Sequence, residues 1–504
     1  MLNVMIDVTL ELNWYGIKRQ FYNNEGARMM LIDIGDLQLD QTWNTRQAQL
    51  FHAIRNKIIS GLWPIGGKLP STRKLAQSLT LSRNTVSAAY EQLTAEGYLE
   101  SRHRSGFYVA VQLPEQLRVA PALPVARVLA EPAFDENQSF APGVPDLSAF
   151  PYHQWRLMLQ RQLERRHLMG NQDVQGDAEL RHALVHYLAT SRAVRCRETQ
   201  IIITSGAQQA LSIAVMATLP HPETVLMEQP GYVQMSKVIQ VLGHTIEPLP
   251  VYEKTGVDVD HVLNSAAKMV YLTPSHQYPM GTTLNTEQRI RLIEWASSRQ
   301  RLIIEDDYDS EFQFAHRPYT SLQGLAAQMD KAGCVCYIGS FSKILFNGLR
   351  LGYLVVPEAW VERCLMLKNA LTGDSPGHTQ AAVAAMIQEG HLLRHIRKMR
   401  RLYQEKYKTI CLAVRHHFGS RIEIISQPAG LHITLKWHAG LEEKCWCSRA
   451  RKAGLIIRPL GDYEMTASPS RSWRGVVLGY GNTAIDKIET LIQALAETGP
   501  FPEK

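Results

Sequence analysis

The chain has 504 residues and a formal net charge of +7; this length exceeds the usual single domain and predicts two or more domains. Its 45% hydrophobic and 20% charged residues are typical of a soluble globular protein. Residues 1–16 have no basic start before an apolar run, and no apolar stretch approaches the ~20 residues of a membrane span. These features argue against a secretory signal or a membrane anchor and predict a cytoplasmic protein.

Cysteine and histidine spacing does not predict a metal site. Seven cysteines are an odd count in a long chain, which favours reduced thiols over a disulfide framework. Two C-x-C pairs lack a nearby histidine at zinc-finger spacing, and alternation along buried strands explains them as core thiols. A pair of histidines four residues apart lies in a basic stretch that is predicted to be a solvated helical face. The C-x-C pairs are Cys334 with Cys336 and Cys445 with Cys447, and the histidine pair is His391 with His395.

The first 29 residues show no convincing periodicity and are treated as an N-terminal extension. Met29 or Met30 is the expected translation start, with a structured N-terminal cap as the alternative. Positive charge then accumulates from residue 46 to residue 112, where nine Lys or Arg stand against three Glu. A basic run is often only a solvated face, but clustered positive charge in one small domain is also typical of a protein that binds the phosphate backbone of nucleic acid.

The pattern within residues 44–112 favours DNA binding. "FHAIRNKIISGLW" places Phe51, Ile54, Ile58 and Leu62 at helical spacing. Two short helices with serine N-caps follow, "STRKLAQSL" and "SRNTVSAAYEQLTAEG", separated by two residues. This spacing predicts a helix-turn-helix, whose second helix presents its N-terminal polar residues to the major groove.

The predicted recognition helix offers Arg83, Asn84, Thr85 and Ser87. Arg suits guanine and Asn suits adenine, although Arg83 also suits a phosphate contact. "GYLESRHRSGFYVA" then predicts two strands around a basic tip that contains Arg102 and Arg104. The whole segment therefore predicts a winged helix-turn-helix of the α+β class.

The stretch "GGKLPSTRKLAQSLTLSRNTVSAAYEQLTAEGYLESRHRSGFYV" resembles the DNA-binding domain of GntR-type bacterial transcription regulators. The resemblance implies that Arg73, Arg83 and Thr85 contact DNA and that Gly106 is the wing glycine. It also implies double-stranded promoter DNA as a partner. Residues 113–134 hold several prolines and little helical pattern, which predicts a semi-extended linker.

Strand-like and helix-like runs alternate through residues 135–504. Five apolar runs, "QIIITSG", "TVLMEQPGY", "KMVYLTPS", "RLIIEDDYD" and "GCVCYIGSFSK", predict strands of a mostly parallel sheet that is covered on both faces. In such a large α/β domain ligands bind at the carboxyl ends of the strands.

Polar residues stand at these predicted strand ends. "SGAQ" opens a helix after the first strand, where backbone N–H groups suit a phosphate, although ordinary capping explains the motif as well. Asp306 and Tyr308 follow another strand, where acidic residues are often only turn or cap residues. Alternatively, the Asp306 carboxylate pairs with a protonated pyridine nitrogen and the Tyr308 hydroxyl contacts a phenolate oxygen. Lys343 lies between Ser342 and Arg350 and suits a Schiff base beside a clamped phosphate. Together these residues predict a pyridoxal 5′-phosphate (PLP) pocket.

Four stretches, "TSGAQQAL", "TPSHQYPMG", "IIEDDYDSEF" and "GSFSKILFNGLRLGYLVVP", resemble fold-type I aminotransferases and, more closely, the MocR subfamily of GntR regulators. The resemblance implies that Lys343 forms the internal aldimine, Asp306 pairs with the pyridine nitrogen and Tyr308 contacts the ring hydroxyl. Tyr232 is expected against the cofactor. The residues expected to hold the phosphate are Gly206, Ala207, Gln208, Ser340, Ser342 and Arg350.

"WRGVVLGYG" resembles the segment in which aminotransferases bind the α-carboxylate, so Arg474 is the predicted effector residue, with a surface salt bridge as the alternative. Asn347 replaces the usual proline and is expected to change little. The "TPSHQYPMG" stretch lacks the asparagine of true aminotransferases, which argues against efficient transamination. Gln234 stands where regulators that respond to γ-aminobutyrate carry an arginine, which argues against that effector.

We therefore expect a PLP-dependent transcription factor that senses PLP or an amino compound through external aldimine formation and controls genes of vitamin B6 metabolism or of amino acid and amine metabolism. The main alternative is an active aminotransferase with an accessory DNA-binding domain; a third possibility is a PLP-storage or protein-interaction module with no regulated promoter. The resemblance also implies a domain-swapped head-to-tail homodimer that binds two DNA half-sites, as direct or inverted repeats.

Overall fold

The computed structural model describes residues 43–103, 105–110, 138–314, 319–465 and 471–499, together with positions 32, 34 and 37–39. The chain divides into two compact units, Met1–Pro132 and Ala133–Lys504. Residues 1–29, Arg104 and the predicted linker at 113–134 lie outside the described residues. None of the helices in the described ranges has both the length and the hydrophobicity that a membrane span requires.

The N-terminal unit is a winged helix-turn-helix, as predicted. Its described residues form three helices and a two-stranded antiparallel wing in which Leu99 pairs with Val109. Its elements are α1 (Arg46–Ile59), α2 (Thr72–Leu79), α3 (Arg83–Ala95), β1 (Leu99–Arg102) and β2 (Gly106–Val109).

Local sequence accounts for the helix-turn-helix. Ser71 and Ser82 cap α2 and α3, because their hydroxyls accept the backbone N–H of Lys74 at 3.2 Å and of Thr85 at 3.1 Å. Thr80, at φ +53°, makes the sharp turn between the two helices. The apolar faces of the three helices, which include Leu50, Ile54, Leu75, Val86 and Tyr90, are almost fully buried. Burying these faces against one another fixes the exposed polar start of α3.

Two details of this unit differ from the sequence prediction or extend it. Leu62 was expected on the buried face of α1, but the helix ends at Ile59 and Leu62 is 65% exposed. Gly61, at φ +76°, redirects the chain before Leu62, so the helical spacing no longer applies there. Ile32, two residues after Met30, is buried in the core of this unit and its N–H donates to the Lys68 carbonyl at 3.1 Å.

The second unit is a large α/β domain, which confirms the predicted fold class. Its helices are α4 (Tyr152–Leu163), α5 (Ala178–Arg192), α6 (Ala207–Thr218), α7 (Val233–Val241), α8 (Val259–Asn264), α9 (Thr286–Ser298), α10 (Leu322–Gln328), α11 (Glu358–Leu371), α12 (Gly377–Gln388), α13 (His391–Phe418), α14 (Glu443–Lys452) and α15 (Ile488–Glu497). Its strands are β3 (Ile201–Thr204), β4 (Thr224–Gln229), β5 (Thr245–Tyr252), β6 (Gly256–Val257), β7 (Met269–Leu272), β8 (Leu302–Asp307), β9 (Val335–Ser340), β10 (Gly352–Val355), β11 (Glu423–Ile424), β12 (His432–Trp437), β13 (Arg458–Pro459) and β14 (Arg474–Gly479).

Eight strands form the main sheet in the order β3-β10-β9-β8-β7-β4-β5-β6. The pairs from β9 through β8, β7 and β4 to β5 are parallel. β7, β8 and β9 are buried on both faces, as is usual for interior parallel strands, whereas most residues of β5 are half-buried or exposed. β10 runs antiparallel between β3 and β9, and Gly352 at its start pairs with both Thr204 and Ser340. The start of β10 therefore lies at the same sheet edge as the carboxyl ends of β3, β8 and β9.

A second sheet of four antiparallel strands has the order β11-β12-β14-β13. Its two faces belong to different apolar clusters. Val476 and Leu478 pack in a core that includes residues of α13 and α15, whereas Val477 packs with Leu460 and Tyr463. Alternate residues of β14 thus point to opposite faces of this sheet.

Two further sequence interpretations need correction. Cys445 and Cys447 were attributed to a buried strand, but they lie on α14 and Cys445 is exposed. His395 was expected on a solvated face; it is buried on α13 and its Nε2 donates to the Ile344 carbonyl at 3.0 Å. Burial lowers the pKa of His395 to about 4, which keeps the ring neutral.

Candidate functional site

A cavity of about 360 Å³ opens at the sheet edge where the predicted strand-end residues meet. The main sheet supplies one wall, and Leu431, His432 and Arg458, from the region of the second sheet, supply another. Nine of the ten predicted cofactor residues line it: Ala207, Gln208, Tyr232, Asp306, Tyr308, Ser340, Ser342, Lys343 and Arg350. The tenth, Gly206, adjoins Arg350, since a Cβ added to Gly206 would lie 3.4 Å from the guanidinium carbon.

One end of the cavity has the chemistry of an anion site. α6 begins at Ala207, and the N–H groups of its first turn have no intrahelical acceptor. Arg350 reaches this point and donates to the Ser205 carbonyl at 3.3 Å. Ser340 and Ser342 are linked through their hydroxyls at 3.0 Å. Cationic, hydroxyl and helix N-terminal groups converge here and suit a phosphate.

Lys343 lies in the middle of this lining and carries an amine that is easily deprotonated. Desolvation by the surrounding protein lowers its pKa to about 8, although the charges of Asp309 and Asp306 act in the opposite direction. Its Nζ donates to the Gly143 carbonyl, which also accepts Asn347 Nδ2 at 3.3 Å. Asn347, expected to change little, therefore contacts the same carbonyl as Lys343.

Asp306, at the end of β8, is a buried carboxylate with one oxygen available. Its Oδ2 accepts the Tyr271 hydroxyl at 2.8 Å, whereas Oδ1 is buried and accepts no hydrogen bond from the described residues. Burial raises the pKa of Asp306 to about 7. An acceptor of this kind suits a protonated ring nitrogen, which would supply the missing donor.

Tyr308 belongs to a buried network that the sequence did not indicate. Its hydroxyl donates to the His276 carbonyl at 2.9 Å, and Asp309 accepts His276 Nδ1 at 3.0 Å. Burial, followed by the charge of Asp309, raises the pKa of Tyr308 well above its usual value, so the phenol stays protonated. The network fixes the Tyr308 ring at the cavity wall.

Beneath the cavity, a buried ion pair supports the end of β8. Arg192 Nε donates to Asp307 Oδ2 at 2.6 Å, and both side chains are at most 2% exposed. Arg192 also reaches Ser275 at 2.6 Å, and Tyr337 donates to the same Asp307 oxygen. α5, β8, β9 and the loop after β7 are thereby tied together directly behind the lining residues.

The structure places Arg474 away from the cavity lining. Its guanidinium pairs with Glu442 and donates to the His438 carbonyl at 3.3 Å. This is the surface salt bridge that the sequence left open as the alternative. Gln234 does line the cavity, together with several residues that sequence reasoning did not select: Tyr271, Thr273, Tyr278, Asp309, His432, Arg458 and Tyr463.

The predicted DNA-contacting residues cluster on α2 and α3 of the N-terminal unit. Arg73, Arg83 and Asn84 are exposed, while Thr85 and Ser87 are partly buried. The Thr85 hydroxyl is 2.8 Å from that of Ser82, so this side chain also contributes to the cap. The start of α3 thus presents a guanidinium and a carboxamide to solvent.

In the wing, Arg102 is exposed at the end of β1. Its guanidinium stacks 4.2 Å from the centre of the Tyr108 ring and donates to Glu100. Lys68 approaches the same ring at 5.8 Å, which adds a second cation to this surface. Arg104 lies outside the described residues.

Comparison with known proteins agrees with both units. The family described as bacterial regulatory proteins, gntR family, matches residues 46–109, and aminotransferase class I and II matches residues 140–470. The probable rhizopine catabolism regulatory protein MocR of Rhizobium meliloti is 33% identical over 90% of this chain and 95% of its own length. The chain belongs to the MocR subfamily of GntR-type regulators. It is therefore a DNA-binding transcriptional regulator with an aminotransferase-like domain.

Other relatives of this MocR-type regulator share its full architecture. The pyridoxine biosynthesis regulator PdxR of Corynebacterium glutamicum is 31% identical over 89% of this chain and 95% of its own length. Among solved structures, the α-aminoadipate aminotransferase LysN of Thermus thermophilus has a TM-score of 0.66 at 24% identity and covers 72% of this chain and 92% of its own. The likeness to LysN shows the fold, and the aminotransferase class I and II domain implies dependence on PLP.

Proposed function

We propose that this regulator binds PLP at Lys343 and changes its DNA binding when PLP, or an amino compound that reacts with it, occupies the cavity. The observation that carries the proposal is the presence of two chemical groups in one cavity. Lys343 has an easily deprotonated amine, and Asp306 has a buried oxygen that lacks a donor. These groups lie in a chain that also has an exposed recognition helix.

The residues of the cavity would hold the cofactor in distinct ways. PLP, when bound, supplies an aldehyde that condenses reversibly with a primary amine, with release of water, and a pyridine ring that withdraws electrons. Ser340, Ser342 and Arg350, with the start of α6, would bind its phosphate, and Asp306 Oδ1 would accept its ring N–H. The Tyr308 hydroxyl, turned away from the His276 carbonyl, would donate to the ring oxygen, and Lys343 would supply the amine.

Residues 138–144, which include the Gly143 carbonyl that accepts from Lys343, connect the cavity to the predicted linker along the chain. Residues 138–144 are the first described part of the large unit after the predicted linker. Backbone bonds tie this segment to the second sheet: Gly479 N donates to the Phe140 carbonyl at 2.8 Å, and Ile456 N to that of Ser139 at 3.0 Å. Lys343 and Asn347 both donate to its Gly143 carbonyl.

We infer that the occupancy of the Lys343 amine controls this segment. The Gly143 carbonyl accepts from two side chains. When the Lys343 amine moves away, Asn347 is the remaining side-chain donor to this carbonyl. Differential contacts of this kind are what allow a ligand to shift a population of conformations. Asn347→Ala should then leave the cofactor spectrum intact and reduce the ligand-dependent change in DNA affinity.

The decisive experiment measures binding to DNA upstream of the protein's own gene and its neighbours at fixed salt. The protein is compared without PLP, with PLP, and with PLP plus candidate amino compounds. A change with PLP alone identifies PLP as the signal, and a change that needs an added amine identifies the amine. Accumulation of a keto acid with unaltered DNA binding would instead favour the aminotransferase alternative.

Two variants separate the functions of the two units. Lys343→Ala should abolish the absorption of lysine-bound PLP and keep DNA binding. Arg83→Ala should weaken DNA binding by about tenfold or more, the worth of one good base or phosphate contact, and keep the PLP spectrum. Loss of both activities in either variant would contradict the division of labour.

We also propose a head-to-tail homodimer with two DNA half-sites and a role in vitamin B6 or amine metabolism. The family membership supports this proposal, and the metabolic role is supported by MocR, a probable regulator of rhizopine catabolism, and by PdxR, a regulator of pyridoxine biosynthesis. Sedimentation of the free protein and of its complex with one promoter fragment tests the stoichiometry, which we expect to be two chains per site.

A further inference from the structure

Three side chains that can bind a metal ion meet where α13 ends and α15 begins. They are His416, His417 and Glu489, and their ligand atoms all lie within 4.8 Å of one another. Glu489 Oε1 is 3.0 Å from His416 Nδ1 and 2.9 Å from His417 Nε2. Glu489 is 73 and 72 residues from the two histidines in sequence, so only the tertiary structure brings the three together. None of them belongs to the cavity lining that the described residues form around Lys343.

Core packing fixes the two helix ends that carry these side chains. Val414 and Phe418 of α13 and Ile488 of α15 are buried in one apolar cluster. The side chain of His417, next to Phe418, is only 18% exposed, whereas that of His416 is 74% exposed. The ligand atoms therefore stand on a fixed backbone and remain open to solvent, as the entry of an ion requires.

Both helix dipoles favour a cation at this place. The two histidines lie in the last turn of α13, where unsatisfied carbonyl groups attract positive charge. Glu489 lies in the first turn of α15, where free N–H groups favour an ionised carboxylate. Arg415 precedes the histidines, but its charge acts on Tyr407 and Cys411, which lie one and two turns earlier on the same face of α13.

Hydrogen bonds alone satisfy this arrangement poorly, because two imidazole rings share one carboxylate oxygen. The rings of His416 and His417 stack with centroids 4.6 Å apart, so two protonated rings would repel each other. A divalent metal ion removes the conflict, since neutral imidazoles and a carboxylate all donate lone pairs to it. Metal–ligand bonds of ~2.1 Å at right angles place two ligand atoms ~3.0 Å apart, which matches the two N–O distances.

We propose that His416, His417 and Glu489 bind a divalent transition-metal ion, such as Zn²⁺ or Ni²⁺, with water in the remaining positions. Imidazole nitrogen favours these ions, whereas Mg²⁺ prefers oxygen ligands. The bound ion joins the end of α13 to the start of α15. It therefore stabilises the large unit, independently of what occupies the cavity around Lys343.

The test is isothermal titration calorimetry of untagged full-length protein, first dialysed against a chelator, with NiCl₂ and, as a control ion, MgCl₂. Nickel is the better probe because exposed Cys445 offers zinc a competing soft ligand. Wild type is compared with His416→Ala, Glu489→Gln and the matched control His182→Ala. His182 also pairs with a carboxylate, that of Glu198 at 2.5 Å, but among the described residues this pair is not part of a three-ligand group.

We expect wild type to bind one Ni²⁺ per chain and to bind no Mg²⁺ at the same concentrations. His416→Ala and Glu489→Gln should each weaken Ni²⁺ binding by about tenfold or more, whereas His182→Ala should match wild type. Ni²⁺ should also raise the melting temperature of wild type and of His182→Ala more than that of the other two variants. The three substituted side chains are exposed, so circular dichroism should show the same fold in every variant.

Two results would overturn the assignment. One is the absence of Ni²⁺ binding by wild type. The other is an unchanged Ni²⁺ affinity in either His416→Ala or Glu489→Gln, which would place the bound ion elsewhere on the chain.

Discussion

The amine of Lys343 should titrate near pH 8, and the perturbation that tests this is pH itself. An ordinary lysine has a pKa of about 10.4. At pH 7 a pKa of about 8 leaves roughly one amine in ten neutral, whereas the ordinary value leaves roughly one in 2,500, a difference of about 200-fold. The neutral amine is the nucleophile, so the environment of Lys343 raises the fraction of nucleophilic amine by that factor at neutral pH.

The assay is amine modification of the cofactor-free protein at a series of pH values, with mass spectrometry of the peptide that contains Lys343. The amine is protonated below its pKa and neutral above it, so modification should rise with pH and level off above about pH 8. Exposed lysines should continue to rise toward pH 10.

A pair of variants tests the cause of the shift. Arg458→Gln removes a positive charge that disfavours the protonated amine, so the midpoint for Lys343 should move upward. Arg474→Gln, outside the cavity lining, should not move it. A wild-type midpoint near pH 10, or an unmoved midpoint in Arg458→Gln, would refute the reasoning.

Three further predictions concern single contacts. Ser82→Ala removes the N-cap of α3 and should lower the stability of the N-terminal unit by about 1 kcal/mol in thermal denaturation, whereas Ser78→Ala, at an exposed hydroxyl, should have a smaller effect. Gly206→Ala forces a side chain onto a backbone at φ +85° beside Arg350 and should weaken PLP binding in equilibrium titrations, while Gly333→Ala, with open space around it, should not. Arg192→Met leaves the buried Asp307 carboxylate with the Tyr337 hydroxyl but without its cationic partner and should cost about 3–5 kcal/mol in chemical denaturation; comparable loss in Arg197→Met, at an exposed pair, would contradict the argument.

The DNA-binding unit illustrates how much local sequence can predict. The serine caps, the helical spacing of apolar residues and the short turn act within about ten residues, so they specify α2 and α3 without knowledge of the rest of the chain. The prediction for Leu62 failed where a glycine at positive φ ended the helical geometry.

In the large unit, sequence also predicted the strands and the polar residues that follow them. Asp306 and Ser340 lie at the ends of β8 and β9, Lys343 follows three residues after β9, and the carboxyl ends of parallel strands meet at one edge. Which residues then face one another was decided by the tertiary structure alone. Asp309 and His276 are brought together by the loops after β8 and β7, and no sequence periodicity links them.

Sequence by itself thus determined the fold of the two units and the position of Lys343 and the other polar residues at the strand ends, because these depend on local propensity and on the alternation of apolar runs. Only the tertiary structure decided which arginine lines the cavity. Arg474 and Arg458 lie on neighbouring strands, but the strand period of two residues sends their side chains to opposite faces of the sheet. Register between strands depends on long-range pairing, which sequence spacing alone does not encode.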